Sequence, residues 1–135
     1  SAIRVAHLVG AKAPLHVTAV GKIFLLEDGK NETLNYVKRN GLKVFTKNTI
    51  KDTKTLFSEL EKIKSQSYAF DNEEAEPGVS CIGAGIYDDT GCLVAGLSIS
   101  IPSHRLNRLW GKHVRATANK ITHALGGSES RLKPA

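Results

Sequence analysis

The chain has 135 residues, 41% hydrophobic and 24% charged, the proportions of an ordinary soluble domain, and this length leaves room for one domain with one core and one pocket. No stretch approaches the ~20 apolar residues of a membrane span, residues 1–10 lack the charged-then-apolar pattern of a signal peptide, and two cysteines are too few for a disulfide scaffold, so a reducing, cytoplasmic location is expected. Nineteen Lys and Arg against thirteen Asp and Glu give +6, which favours an anionic partner without naming one, and the absence of methionine, even at position 1, suggests a piece of a longer protein.

Residues 2–9 alternate loosely, with Ile3, Val5 and Val9 on one side, and predict a strand ended by Gly10 and Pro14. From Thr18 to Leu26 the positions Val20, Ile23, Phe24 and Leu26 follow helical spacing. A second helix is expected from a cap at Asn31 to a left-handed stop at Asn40-Gly41. Asp52 or Thr53 caps a third, with Leu56, Phe57, Leu60 and Ile63 on its apolar face, and Ser65 to Ser67 release it into an extended Tyr68-Ala69-Phe70. The acidic stretch Asp71 to Gly78 then reads as a solvated loop.

Residues 79–101 predict a hairpin, VSCIGAGIY and CLVAGLSISI around the turn Asp88-Asp89-Thr90-Gly91. Pairing Tyr87 with Cys92 sets Ile86 against Leu93, Ala84 against Ala95 and Ile82 against Leu97 on one apolar face. The other face pairs Gly85 with Val94, Gly83 with Gly96, Cys81 with Ser98 and Val79 with Ser100. A one-residue slip would mix the two faces. After Pro102, Ser103 is expected to cap a long final helix whose stripe is Leu106, Leu109, Trp110, Val114, Thr117, Ile121, Ala124 and Leu125, closed by Gly126-Gly127. The elements describe an α+β domain over 1–127, two-layered, with an antiparallel sheet covered by helices, and a loose tail at 128–135.

Four features can carry chemistry. Gly83, Gly85 and Gly96 leave space on one hairpin face, and Cys81, Ser98 and Ser100 line that hollow with a thiol and two hydroxyls, which suits a small polar ligand; the alternative is a helix packed tightly on the glycines. Leu15 to Lys22 opens a helix whose first amides attract carboxylate or phosphate, with Lys22 expected on the surface. Asp71, where a strand meets the acidic loop, can accept from ligand hydroxyls or fix its own backbone. Cys81 is the one credible nucleophile, with His16 or His104 as bases only if the fold delivers them. The five histidines show no metal-ligand spacing, so no metal or cofactor is expected. Cys81 and Cys92 fall too far apart along the hairpin to bridge. Arg105, Arg108, Lys112, Arg115 and Lys120 on the final helix read as a solvated face rather than a nucleic-acid surface.

The segment Asp71-Asn72-Glu73-Glu74, then Pro77-Gly78-Val79-Ser80-Cys81-Ile82-Gly83, then Ile86-Tyr87-Asp88 resembles the signature of the C-terminal effector-binding domain of IclR-family bacterial transcription regulators. GLSISIP (96–102), PLHVTAVGK (14–22) and Asn48-Thr49-Ile50 with Asp52 follow the same family in the same order. The resemblance spans roughly residues 8–127. Ser67 departs from the usual Gly or Ala, Trp110-Gly111 departs from the family's final helix, and no winged helix-turn-helix is present.

The resemblance implies a GAF-like domain that senses a small organic acid or sugar acid and assembles as a homodimer or homotetramer, meeting operator DNA only through the winged helix-turn-helix. It implies an effector site at the amides of Ala19 and Val20, the polar Asp71, Cys81, Ser98 and Ser100, and the apolar Val79, with no catalytic residue. The alternative is a GAF-fold thiol enzyme acting on a small metabolite through Cys81.

Overall fold

The computed structural model describes residues 12–128; the strand expected over 2–9 and the tail beyond 128 lie outside them. A 3-10 turn, Leu15–Val17, leads into α1 (Ala19–Asp28), α2 (Lys30–Asn40) and α3 (Thr53–Gln66). Then come β1 (Ala69–Asn72), β2 (Val79–Tyr87), β3 (Leu93–Pro102) and α4 (Trp110–Ala124). Thr18 caps α1 by accepting from Gly21 N (2.9 Å), and Asp52 caps α3 by accepting from Thr55 N (2.8 Å). The cap expected at Asn31 is not used: α1 and α2 meet at Gly29, whose φ of +98° makes the corner that only glycine adopts easily. Ser67, the departure from Gly or Ala, ends α3 in the left-handed region at φ +64°, a conformation that glycine, lacking a Cβ, adopts without strain.

The strands form one antiparallel sheet in the order β1-β2-β3. The hairpin register differs by two residues from the expected one: Cys81 pairs with Ser100, Gly83 with Ser98, Gly85 with Gly96 and Ile86 with Ala95. Two separate irregularities produce it. Asp88 N donates to Cys92 O (3.0 Å) while Cys92 N donates to the Asp88 carboxylate (3.0 Å), so Cys92 closes the loop and Tyr87 pairs with Leu93. A bulge between Ile86 and Tyr87 then adds one more residue on β3. Two single steps make an even shift, so from Ile86 and Ala95 onward each side chain keeps its predicted face, whereas Leu93, expected beside Ile86, crosses to the side of Gly85 and Tyr87.

Those faces are both covered. Ala19, Ile23, Leu25, Leu56, Leu60, Ile63, Ala69 and Tyr87 form one buried cluster beneath α1 and α3, and Ile82, Ala84, Ile86, Ile101, Val114 and Ala118 form another beneath α4. The α+β class and the helix-covered antiparallel sheet are as expected; the expected two layers are three, and the single core is divided in two by the sheet. The thinness of β2, with glycine or alanine at 83, 84 and 85, lets helices approach from either side.

The final helix starts at Trp110, not at Ser103. The Ser103 hydroxyl is bonded to that of Ser80 (2.8 Å), and Leu106 is extended (ψ 127°), which breaks any helix through that point. Its buried stripe is Gly111, Val114, Ala118 and Thr122, while Leu109, Ile121 and Leu125, expected inside, are exposed. Thr122 is turned inward because its hydroxyl accepts from Tyr87 N (3.0 Å), anchoring α4 to the end of β2. Gly111 explains the Trp110-Gly111 departure: a Cβ there would enter the Tyr68 ring. Gly111→Ala is therefore expected to lower stability by about 1–3 kcal/mol through overpacking, despite alanine's roughly 1 kcal/mol advantage in a helix. Urea unfolding of the two proteins measures the difference.

Candidate functional site

The observed register places Asp71 opposite Cys81 and Cys81 opposite Ser100, so one rung crossing all three strands presents a carboxyl, a thiol and a hydroxyl on a single face. The next rung, Ala69-Gly83-Ser98, brings Ser98 alongside. Above these rungs lies the start of α1, and a cavity of ≈ 70 Å³ is enclosed by Thr18, Ala19, Val20, Asp71, Ala75, Glu76, Val79, Cys81, Ser98 and Ser100. All seven candidate residues, Ala19, Val20, Asp71, Val79, Cys81, Ser98 and Ser100, thus line one space. Thr18, Ala75 and Glu76 were not among them.

The glycines behave otherwise than the hollow implied. A Cβ on Gly83 would lie 3.0 Å from Val20 Cγ2, and one on Gly96 would overlap Val20 Cγ1. Gly85 is closed off by Leu93 and Tyr87, whose ring Cε2 would stand 3.0 Å from a Cβ there. Helix packing on glycine, the alternative weighed above, accounts for Gly83 and Gly96, strand side chains cover Gly85, and the open space lies beyond them at Cys81, Ser98 and Ser100.

Helix α1 presents its first turn to this space. The Thr18 hydroxyl satisfies Gly21 N, and no acceptor among the described residues takes Ala19 N or Val20 N. Two amides with the partial positive end of a helix behind them favour an anion. Cys81 Sγ lies 3.3 Å from Ser100 Oγ, and burial is the first cause pushing the Cys81 thiol above its ordinary range. A thiol held protonated is a wall rather than a nucleophile. His16, proposed as a base, is turned elsewhere: its ring nitrogens contact Tyr36 Oη and Lys43 O, both at 2.9 Å.

Asp71 is 4% exposed. Burial pushes its pKa up to about 6, opposed by the bond from Glu74 N to Asp71 Oδ1 (2.7 Å) and by Lys22, and reinforced by the neighbouring Glu74 carboxylate. Because the folded value stands above the ordinary 3.8, the native chain holds this proton more tightly than the unfolded one. Its contribution to stability is complete below about 4 and is lost as pH rises to about 6. Asp71→Asn is expected to remove that slope, seen as the difference between wild-type and variant urea stabilities from pH 4 to 7.

The acidic loop, expected to be solvated, is the cavity's roof and is tied down on every side. Lys22, expected on the surface, is fully buried and donates to Phe70 O (2.6 Å) and to both Glu74 oxygens (3.0 and 3.2 Å). Glu74 Oε2 also accepts from Asn72 N (2.8 Å), and Glu73 Oε1 accepts from Gly78 N (2.6 Å). From the other side Thr49 Oγ1 donates to Glu74 O (2.6 Å), Thr46 Oγ1 to Glu73 O (2.6 Å) and Asn48 Nδ2 to Asn72 O (3.0 Å). The one sequence signal for this network is Lys22 itself, which interrupts the buried face formed by Ala19 and Ile23. Lys22→Met strands the Glu74 carboxylate in the interior and is expected to cost about 3–5 kcal/mol. Adding Glu74→Gln should recover part of it in denaturant titrations.

A larger groove of ≈ 680 Å³ runs over Leu25, Phe57 and Leu60, rimmed by Lys30, Lys54 and Lys64 with Glu27 and Glu61. It contains none of the candidate residues and mixes both signs of charge.

Residues 1–123 match the family model described as "Bacterial transcriptional regulator IclR C-terminal". The chain belongs to the IclR family. It is 38% identical over 130 residues to the HTH-type transcriptional repressor AllR of Escherichia coli K12, an alignment covering 93% of this chain and 48% of AllR. The chain therefore spans about half the length of the curated relatives it matches. The IclR structure of Thermotoga maritima superimposes with a TM-score of 0.82 at 36% identity, over 93% of this chain and 53% of that one. A double mutant of the PobR inducer-binding domain from Acinetobacter, in complex with 3-hydroxybenzoic acid, superimposes with a TM-score of 0.78 at 27% identity, over 90% of this chain and 74% of that one. The fold is that of the IclR C-terminal, effector-binding domain, and these relatives are transcriptional regulators.

Proposed function

We propose that this domain senses a small organic acid or sugar acid for an IclR-type regulator, and that the cavity between α1 and the Asp71-Cys81-Ser100 rung is the sensory site. The observation that carries this reading is the convergence of two helix amides without an acceptor among the described residues and two hydroxyls on one side with an acceptor carboxyl on the other. A ligand carboxylate would lie on Ala19 N and Val20 N and accept from Ser98 and Ser100, while Asp71, ionised above pH 6, accepts from a ligand hydroxyl. Val79 and Cys81 form the apolar wall. The PobR domain holding a hydroxylated aromatic acid supports an acid ligand for a domain of this shape.

The domain also mediates homodimer or homotetramer formation, and DNA is reached through an N-terminal winged helix-turn-helix of the whole regulator. Binding acts by favouring one subunit arrangement, with a leverage equal to the ligand's difference in affinity between arrangements. Lys22 connects the ligand-holding helix to the loop over the cavity, so a displacement of α1 is passed to that loop. The raised thiol pKa speaks against the thiol-enzyme alternative.

A thermal-shift screen against carboxylates, 2-oxo acids, hydroxy acids and sugar acids tests the reading. A ligand at a hundredfold excess over Kd stabilises by about 2.7 kcal/mol, a shift of several degrees. Hydrogen bonds to a charged group contribute about 1.5–3 kcal/mol each, so Ser98→Ala with Ser100→Ala is expected to weaken binding by at least about a hundredfold, whereas Cys81→Ser retains it. No shift across the panel with a folded chain would reject the sensory site.

A further inference from the structure

The acidic residues of this chain are unevenly distributed. All but one of the thirteen lie between Glu27 and Asp89, and the other is Glu129. Residues 90–128, which hold β3 and α4, therefore carry Arg105, Arg108, Lys112, Arg115 and Lys120 and no carboxylate. The sequence reads these five as a solvated face; the structure adds that, among the described residues, none of them has an acid within ion-pair distance. Two are held by other means. The Arg108 guanidinium lies over the Phe70 ring, 4.9 Å from its centre, and Arg115 Nη1 donates to Gln66 O (3.2 Å), which leaves Arg115 half-buried and structural.

The remaining cations share one surface. Lys112, Ala116 and Lys120 recur every four residues and form an exposed ridge along α4, with the exposed Arg105 and Arg108 in the turn before it. The small Ala116 lets another chain's backbone lie close to the helix between the two lysines. Asp88 and Asp89 mark the far limit of this surface, beside Gly127 and Gly126. Like charges in neighbouring turns repel, and an extended anion laid along the ridge relieves that repulsion. Protein interfaces are depleted in lysine, whereas interfaces with DNA are polar and strongly positive. A duplex presents one negative charge per roughly 1.7 Å of its axis, so each cation meets a phosphate whatever the base sequence.

We propose that the outer face of α4 and the turn before it form a sequence-independent contact for duplex DNA, in which Arg105, Arg108, Lys112 and Lys120 meet phosphates and no base edge is read. It is a second DNA contact, distinct from the winged helix-turn-helix, and it stands or falls separately from the reading of the cavity.

Fluorescence anisotropy of a short labelled duplex of scrambled sequence, titrated with the 135-residue chain, tests this. No winged helix-turn-helix is present in this chain, so binding belongs to this domain. Four phosphate contacts give a slope of log K against log salt of about −3 to −4, or roughly a hundredfold loss between about 50 and 200 mM salt. Arg105→Ala with Lys112→Ala and Lys120→Ala, which removes three exposed side chains, is expected to flatten the slope to about −1 and to lose at least about tenfold in affinity at the lower salt. Lys38→Ala with Arg39→Ala and Lys47→Ala removes the same charge from exposed positions elsewhere and is expected to keep the wild-type slope. An equal loss in both triple variants would mean that the duplex responds to the net charge of +6 and not to this face, which overturns the proposal. Absence of binding by the folded chain at the lower salt overturns it too. Tighter binding of poly-glutamate than of duplex at equal charge concentration would assign the face to an acidic protein and reject DNA as its partner.

Discussion

The buried ion pair between Lys22 and Glu74 holds together the parts on which the site depends. Lys22 sits on α1, one turn after the amides that face the cavity, and its ammonium reaches the main chain of β1 at Phe70 as well as the loop carboxylate. One charge on α1 is thereby shared with β1 and the loop that follows it, about fifty residues further along the chain. Removing two charges from water costs several kcal/mol per ion, and the cost is offset only because every partner is in place: Asn72 N on Glu74, Glu74 N on Asp71, and Thr49 on the Glu74 carbonyl. Such a network stabilises modestly and specifies strongly. It leaves the loop one position over the cavity and sets beside the buried Asp71 both the Glu74 carboxylate that helps raise its pKa and the Glu74 N and Lys22 that oppose the rise.

Much of the fold was legible because its signals are local. Thr18, Asp52 and Gly41 mark helix ends by their own chemistry, and alternation along residues 79–101 assigns both faces of the hairpin. What failed depends on distant partners. The Asp88 carboxylate draws Cys92 out of β3, a contact that no turn propensity expresses. The stripe of α4 was misplaced because Ile121 and Leu125 are large and apolar, whereas the inward residues are the small Gly111 and Ala118 and the polar Thr122, each chosen by what it meets: the Tyr68 ring, β2, and Tyr87 N.

The candidate residues were recoverable for a related reason. Parity along β2 and β3 decides that Val79, Cys81, Ser98 and Ser100 share a face, and parity survives an error of two in register; the rung that joins Asp71 to Cys81 and Ser100 does not, and only the observed pairing reveals it. Lys22 and Glu74 looked like surface charges because a lysine in a helix and an acid in a loop ordinarily are. Their burial follows from each other's presence, which the chain order conceals across 52 intervening steps.

The paired irregularities of the hairpin bear on how this domain can change over evolutionary time. Loop tips accept single insertions freely, and here the loop closed by Cys92 and the bulge at Val94 each take up one residue while Cys81 stays opposite Ser100. Length at the far end of the sheet can therefore vary one residue at a time while the serines several rungs away keep their side.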